Sequence, residues 1–125
     1  MQSSASRRAV VLVVEDEPLL RMDAIYAIDA AGFDVVSASD ADEAIAILER
    51  RSDIHLIFTD IQMPGSMDGL KLAHFVKNRW PPIKNIATSG HAKITEKDLP
   101  DGSRFLPKPY AIVEVASAID QLVRQ

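Results

Sequence analysis

Two adjacent carboxylates, Glu15 and Asp16, follow the apolar run Ala9–Val14, and a third, Asp60, follows Ile54–Thr59. The Ser89 hydroxyl comes just after Ile83–Thr88, and Lys108, set between Pro107 and Pro109, comes just after Arg104–Leu106. Carboxylates brought into one crevice repel one another and need a cation or protons to coexist. Oxygen ligands with no His or Cys among them suit a hard ion that keeps several waters, which is Mg²⁺. The chemistry that such a set serves is phosphoryl transfer to a carboxylate. Mg²⁺ and the Lys108 ammonium would take up charge on the equatorial oxygens, and Ser89 would donate a hydrogen bond. Asp60 would be the nucleophile and become an acyl phosphate.

Singly, each residue has a plainer reading. Asp60 alone is a helix cap or a solvated carboxylate, Glu15 and Asp16 complement a helix N-terminus, and Lys108 is a surface charge. What favours the chemical reading is that these groups recur at successive strand ends.

The elements that must position them alternate. Ala9–Val14 is a continuous β-branched run, read as a strand buried on both faces. Glu17 to Ala31 has Leu20, Ala24, Ala27, Ile28 and Ala31 at helical spacing, with Pro18 in the first turn and Gly32 just past the end. Phe33–Ala38 reads as the second strand. Asp40 caps the next helix, which runs to about Arg51, with Glu43 completing an acidic capping box. Ile54–Thr59 is the third strand, and Asp68 caps a helix carrying Leu70, Leu72, Ala73, Phe75 and Val76 that stops at Pro81-Pro82. Ile83–Thr88, Arg104–Leu106 and the helix Ala111–Val123 complete the pattern. Between them, residues 91–103 leave room for one or two helical turns, because Pro100 and Gly102 interrupt them.

This alternation predicts an α/β fold, a doubly wound parallel sheet with right-handed crossovers. The functional crevice of such a sheet lies at the carboxyl ends of its strands. Residues 1–8 are read as an N-terminal tail and 9–125 as one domain. Fourteen basic against eighteen acidic residues give a net charge of −4, and the basic ones are scattered, which speaks against a nucleic-acid surface. There is no cysteine, so neither disulfides nor thiolate chemistry are available, which suits a reducing cytoplasm. No apolar run approaches the ~20 residues of a membrane span or the length of an export signal.

Val11-Leu-Val-Val-Glu-Asp-Glu-Pro18, Phe58-Thr-Asp-Ile-Gln-Met-Pro64 with Asp68-Gly-Leu70, and Phe105-Leu-Pro-Lys-Pro109 resemble the signature blocks of two-component response-regulator receiver domains. The resemblance runs from about Ala9 to Val123. It implies a flavodoxin-like five-stranded sheet of order 2-1-3-4-5, the order given by the chemotaxis regulator that serves as the general example of this winding. It implies Asp60 as phosphoacceptor, Mg²⁺ on Asp16, Asp60 and the Gln62 carbonyl with Glu15 acting mainly through water, and Ser89 and Lys108 on the phosphoryl group. It also implies a cis Lys108–Pro109 bond. Phe105 takes the position of the family's switch aromatic, although an aromatic in a short strand also reads as core. Gln62 and His91 take the positions that tune the lifetime of the acyl phosphate.

Departures from the family pattern are informative. Glu15 replaces the commoner Asp, and Ser89 stands where Thr is usual, beside Thr88. The two point to opposite faces of a strand, so only one can serve, and Ser89 is our choice. The loop after Pro64 is one residue longer than usual, and the stretch from Ser89 to Lys108 is short, so a stunted or remodelled fourth helix is expected. Pro64-Gly-Ser-Met-Asp-Gly69 and Thr88-Ser-Gly-His91 are most similar to single-domain receivers of alphaproteobacteria.

The resemblance implies a switch that takes a phosphoryl group from a sensor histidine kinase and changes its affinity for a downstream protein, or passes the group to a phosphotransfer protein. The face of the fourth helix, fifth strand and last helix would do the switching and is a candidate homodimer face. No output domain follows Gln125, so direct DNA binding is not expected. The competing reading is a pseudo-receiver that binds partners without phosphorylation. An aspartate-dependent phosphatase would need a second carboxylate where Gln62 stands, and a cap that 125 residues leave no room for. We therefore do not expect a classical enzyme.

Overall fold

The computed structural model describes residues 8–62, 67–90 and 95–124. The strands are β1 (Val10–Val14), β2 (Asp34–Ala38), β3 (Leu56–Asp60), β4 (Lys84–Ser89) and β5 (Arg104–Pro107). The α-helices are α1 (Pro18–Ala30), α2 (Ala41–Arg50), α3 (Gly69–Arg79) and α4 (Ile112–Val123). All strand pairs are parallel, in the order β2-β1-β3-β4-β5, as expected of a flavodoxin-like sheet. No described helix is long and apolar enough to cross a membrane.

Layering follows from period-two alternation. Val11, Val13, Leu56, Phe58, Ile86 and Leu106 face α1 and α4, while Leu12, Val14 and Ile57 face α2 and α3. A strand covered on both faces cannot alternate with polar residues, which is why β1 and β3 are apolar throughout up to their functional ends.

Local chemistry sets the helix ends. Glu17 caps α1 through Leu19 N–H (3.1 Å), and Gly32, at φ 99°, supplies the left-handed residue that ends it. Asp40 accepts Glu43 N–H (2.8 Å), but the expected reciprocal contact is shifted: the Glu43 carboxylate takes Ser39 N–H (2.6 Å) and Ser39 Oγ–H (2.9 Å) instead of the cap residue. Leu20, one of the apolar residues at helical spacing in α1, is 41% exposed. Trp80 closes α3, packed edge-on against Phe75 with Arg79 over its ring.

Between β4 and β5 the described residues hold one 3₁₀ turn, Glu96–Asp98, in place of an α-helix. This is the remodelling expected there. The turn is fixed at several points. Leu99 packs with Ile61, Ala87, Leu70 and Phe105, His74 Nε2 meets the Asp98 carbonyl (2.9 Å), and Glu96 accepts Phe105 N–H (3.2 Å) on the outer edge of β5. Satisfying an edge-strand donor in this way leaves it unavailable to another chain.

α3 starts against the backbone that ends β3. Gly69 donates its N–H to the Ile61 carbonyl (2.9 Å), and a Cβ at Gly69 would sit 2.0 Å from the Asp60 carbonyl oxygen and 2.8 Å from Ile61 Cα. Backbone cannot yield as a side chain would. Gly69→Ala is therefore expected to lower stability by about 1–3 kcal/mol or more through overpacking. The change should appear in urea titration as a lower midpoint with an unchanged slope, and an unchanged midpoint would show that the approach is not needed.

Candidate functional site

The carboxyl ends of β1, β3, β4 and β5 meet on one edge of the sheet. Asp60 is the last residue of β3 and is 7% exposed; Glu15 follows β1 and is 5% exposed. Lys108 follows β5 and reaches back over 48 residues of sequence, placing Nζ 2.7 Å from Asp60 Oδ2 and 3.5 Å from Glu15 Oε1. The other Asp60 oxygen, Oδ1, accepts the Gln62 N–H (3.0 Å). Both oxygens of Asp60 are thus held, and its carboxylate has a fixed orientation.

Other expected residues stand around this centre. Ser89, 1% exposed, ends β4 and accepts Lys108 N–H on its carbonyl (3.0 Å), which fixes the base of the lysine. Ala87 lies in the cluster on the Phe105 side of the sheet, so strand alternation puts Ser89 on that side and Thr88 on the other. The Lys108–Pro109 bond is cis, as the resemblance implied. Asp16, next in the chain to Glu15, is half-buried and Gln62 is exposed. Phe105 is half-buried against Ile61, Ala87 and Leu99, which is a core position next to the residue that follows Asp60. His91 lies outside the described residues.

Burial governs the electrostatics. Desolvation, reinforced by Asp60, pushes the Glu15 carboxyl up to about 7, against a lowering hydrogen bond from Glu17 N–H (3.2 Å). Burial disfavours the charged Lys108 ammonium, but its hydrogen bond to Asp60 and the charges of Asp60 and Glu15 outweigh that, and its pKa is raised. Burial pushes the Tyr110 phenol, edge-on to Phe58 at 5.6 Å, up to about 12. Above about pH 7, where Glu15 gives up its proton, two carboxylates face the single Lys108 ammonium.

Among the described residues, no three acidic, His or Cys side chains come close enough to enclose an ion by themselves. That does not conflict with Mg²⁺, which is generally held by one or two carboxylates and several waters. The buried carboxylate oxygens of Glu15 and Asp60 fit such an ion. Its ligands would come from Glu15, Asp16, Asp60 and the Gln62 carbonyl.

Two supporting residues were not legible beforehand. Gly69 has no chemical group to mark it in the sequence, and its signal is steric. Arg21, whose Nη1 donates to the Glu15 carbonyl (2.9 Å), looked like any basic residue on a helix.

A family model described as the response regulator receiver domain matches residues 11–120. The sensor kinase CckA of Brucella abortus (strain 2308) is 32% identical over 124 residues, covering 96% of this chain and 13% of the kinase. The chain thus spans about an eighth of that relative's length. A response regulator receiver protein from Sinorhizobium medicae WSM419 superposes with TM-score 0.84 at 28% identity, covering 94% of this chain and 95% of that one. The response regulator TrrA of Thermotoga maritima, solved in complex with Mg²⁺ and BeF, shares the fold with TM-score 0.79 at 21% identity, covering 91% and 98%.

The raised Glu15 pKa has a consequence for stability. The folded state holds this proton more tightly than the unfolded chain, so its contribution is full below the unfolded value of 4.5 and is lost as pH rises through about 7. In Mg²⁺-free buffer, Glu15→Gln should therefore gain stability relative to wild type between pH ~5 and ~8, by about 1–3 kcal/mol. Urea titrations across that range measure the difference. A constant difference would mean that Glu15 titrates as an ordinary exposed carboxylate.

Proposed function

The chain belongs to the response regulator receiver domain family, and from that premise we propose that it is a phosphoacceptor switch in which Asp60 is the nucleophile. The observation that carries the reading is the Lys108 Nζ–Asp60 Oδ2 contact of 2.7 Å. It puts an ammonium on a buried carboxylate whose other oxygen is already bonded. In the transfer, an Asp60 oxygen forms a bond to phosphorus while the bond from phosphorus to the donor's histidine nitrogen breaks. Lys108 follows the charge from the carboxylate to the phosphoryl oxygens, and the Ser89 hydroxyl donates to one of them. Mg²⁺, held by Glu15, Asp16, Asp60 and the Gln62 carbonyl, would supply electrostatic stabilisation of the developing charge. The Mg²⁺–BeF complex of TrrA accords with this assignment.

After transfer, the added charge favours a second arrangement of the crevice. Phe105, packed against Ile61, is placed to report it to the Glu96–Asp98 turn. Gln62 and His91 are assigned to tuning the acyl phosphate lifetime. The switching face of β5, its preceding turn and α4 would engage a downstream protein, a phosphotransfer protein or a second copy. The site of action is assigned to the cytoplasm.

A protein donor needs a dock. Leu19, Leu20, Met22 and Tyr26 of α1 and Ile112 and Val113 of α4 are large exposed apolar side chains. Of these, Leu20, Tyr26 and Ile112 line an open groove of about 590 Å³ that reaches Lys108, Pro109 and Tyr110, and Val113 follows Ile112 in α4. Such patches mark interaction surfaces, and this one adjoins the crevice the donor histidine must enter, so it is assigned to the sensor histidine kinase.

With a small acyl-phosphate donor, intact mass should show one Mg²⁺-dependent phosphoryl addition to wild type and none to Asp60→Asn. No addition to a folded, Mg²⁺-binding protein would favour a phosphorylation-independent module. Val113→Glu should leave the small-donor reaction unchanged and slow transfer from the kinase about tenfold or more, the effect of losing a contact worth ~1.4 kcal/mol. Equal slowing with both donors would place Val113 outside the docking surface.

A further inference from the structure

The loop bearing Glu15 and Asp16 has no regular structure to hold it, yet its carboxylates must be placed closely if they are to serve a metal ion. Glu15 N–H donates to the Ala38 carbonyl at the end of β2 (3.1 Å). On the other side of the same residue, Arg21 Nη1 donates to the Glu15 carbonyl (2.9 Å) from one turn along α1. Arg21 is itself half-buried, and its backbone N–H is bonded to Glu17 (2.9 Å), so its base is fixed by the helix that the loop begins. The neighbouring strand end is also secured, because Ser39, the residue after Ala38, is gripped by the Glu43 carboxylate.

The Glu15 carbonyl belongs to the peptide that joins Glu15 to Asp16. Without the guanidinium, water can take its place on that carbonyl, so folding need not suffer. The peptide plane would then be free to rotate, and the Asp16 carboxylate that follows it would lose its fixed placement. We propose that Arg21 is a positioning residue: by anchoring the Glu15–Asp16 peptide it sets the affinity of the crevice for Mg²⁺. This rests on the metal-binding reading of the crevice given above. Groups that orient metal ligands without touching the metal commonly change affinity 10–100-fold when removed.

The alternative role for Arg21, simple positive charge near a cation site, has the opposite sign. A guanidinium repels Mg²⁺, so deleting it for its charge alone would tighten binding. Calorimetric titration of the full chain with MgCl₂ at fixed pH separates the two. Arg21→Ala should weaken Mg²⁺ binding by about tenfold, and Arg21→Lys, which keeps the charge and one donor, should fall between it and wild type. Thermal melts in Mg²⁺-free buffer should place both variants near wild type. If Arg21→Ala fails to fold, Arg21→Lys alone decides, since weaker binding despite retained charge supports positioning.

Equal or tighter Mg²⁺ binding by the variants, with wild type binding normally, would overturn the proposal and leave the reading of the crevice intact. Failure of wild type to bind Mg²⁺ would overturn that reading and the role of Arg21 with it.

Discussion

Two buried carboxylates, Asp60 and Glu15, share one ammonium, and much of the molecule serves to keep that ammonium within reach. Removing a partner from a buried ion pair generally costs about 3–5 kcal/mol, because the remaining charge is left without compensation. One cation against two acids is an unbalanced arrangement. Burial and the neighbouring Asp60 raise the Glu15 pKa, and above about pH 7 the crevice becomes receptive to further positive charge. The instability of the arrangement is useful. A site in full electrostatic balance would have little to gain from a metal ion or from moving its lysine onto a new anion.

The sheet converts that local imbalance into geometry. Parallel strands deliver all their carboxyl ends to the same edge, so residues as distant in sequence as Glu15, Asp60 and Lys108 converge with little loop to order. Apolar side chains cover both faces of β1 and β3, and rigid strands fix their terminal residues better than loops can. Two backbone contacts refine the result. Gly69 lets α3 lie directly on the Asp60 carbonyl, and Ser89 holds the Lys108 backbone through its own carbonyl.

The strand-helix alternation was legible in the sequence because β1 is a pure β-branched run and because Pro18, Gly32, Asp40 and Asp68 punctuate the helices at positions where their backbone preferences apply. Convergence of Glu15, Asp60 and Lys108 could likewise be read, since strand ends in such a sheet share an edge. What could not be read depends on contacts between elements. Glu43 stands three residues after Asp40, which suits a capping box, but its longer side chain finds two donors on Ser39. Leu20 matched the helical stripe yet lies on the α1 flank beside the Tyr110 groove. The turn at Glu96–Asp98 is held by His74, Phe105 and Leu99, partners that local sequence does not name. Arg21 is similar: its partner is a carbonyl, which leaves no trace in residue type.

In the proposed switch, Asp60 receives the phosphoryl group while Lys108 transfers its contact from the carboxylate to that group. The most direct test is an experimental structure of the chain with Mg²⁺ and beryllium fluoride, a stable mimic of an acyl phosphate. Beryllium is expected bonded to an Asp60 oxygen, with Mg²⁺ beside it on the acidic loop and Lys108 Nζ on a fluoride. A fluoride complex bound elsewhere, or Lys108 still paired with a bare Asp60 at saturating Mg²⁺ and beryllium fluoride, would contradict it.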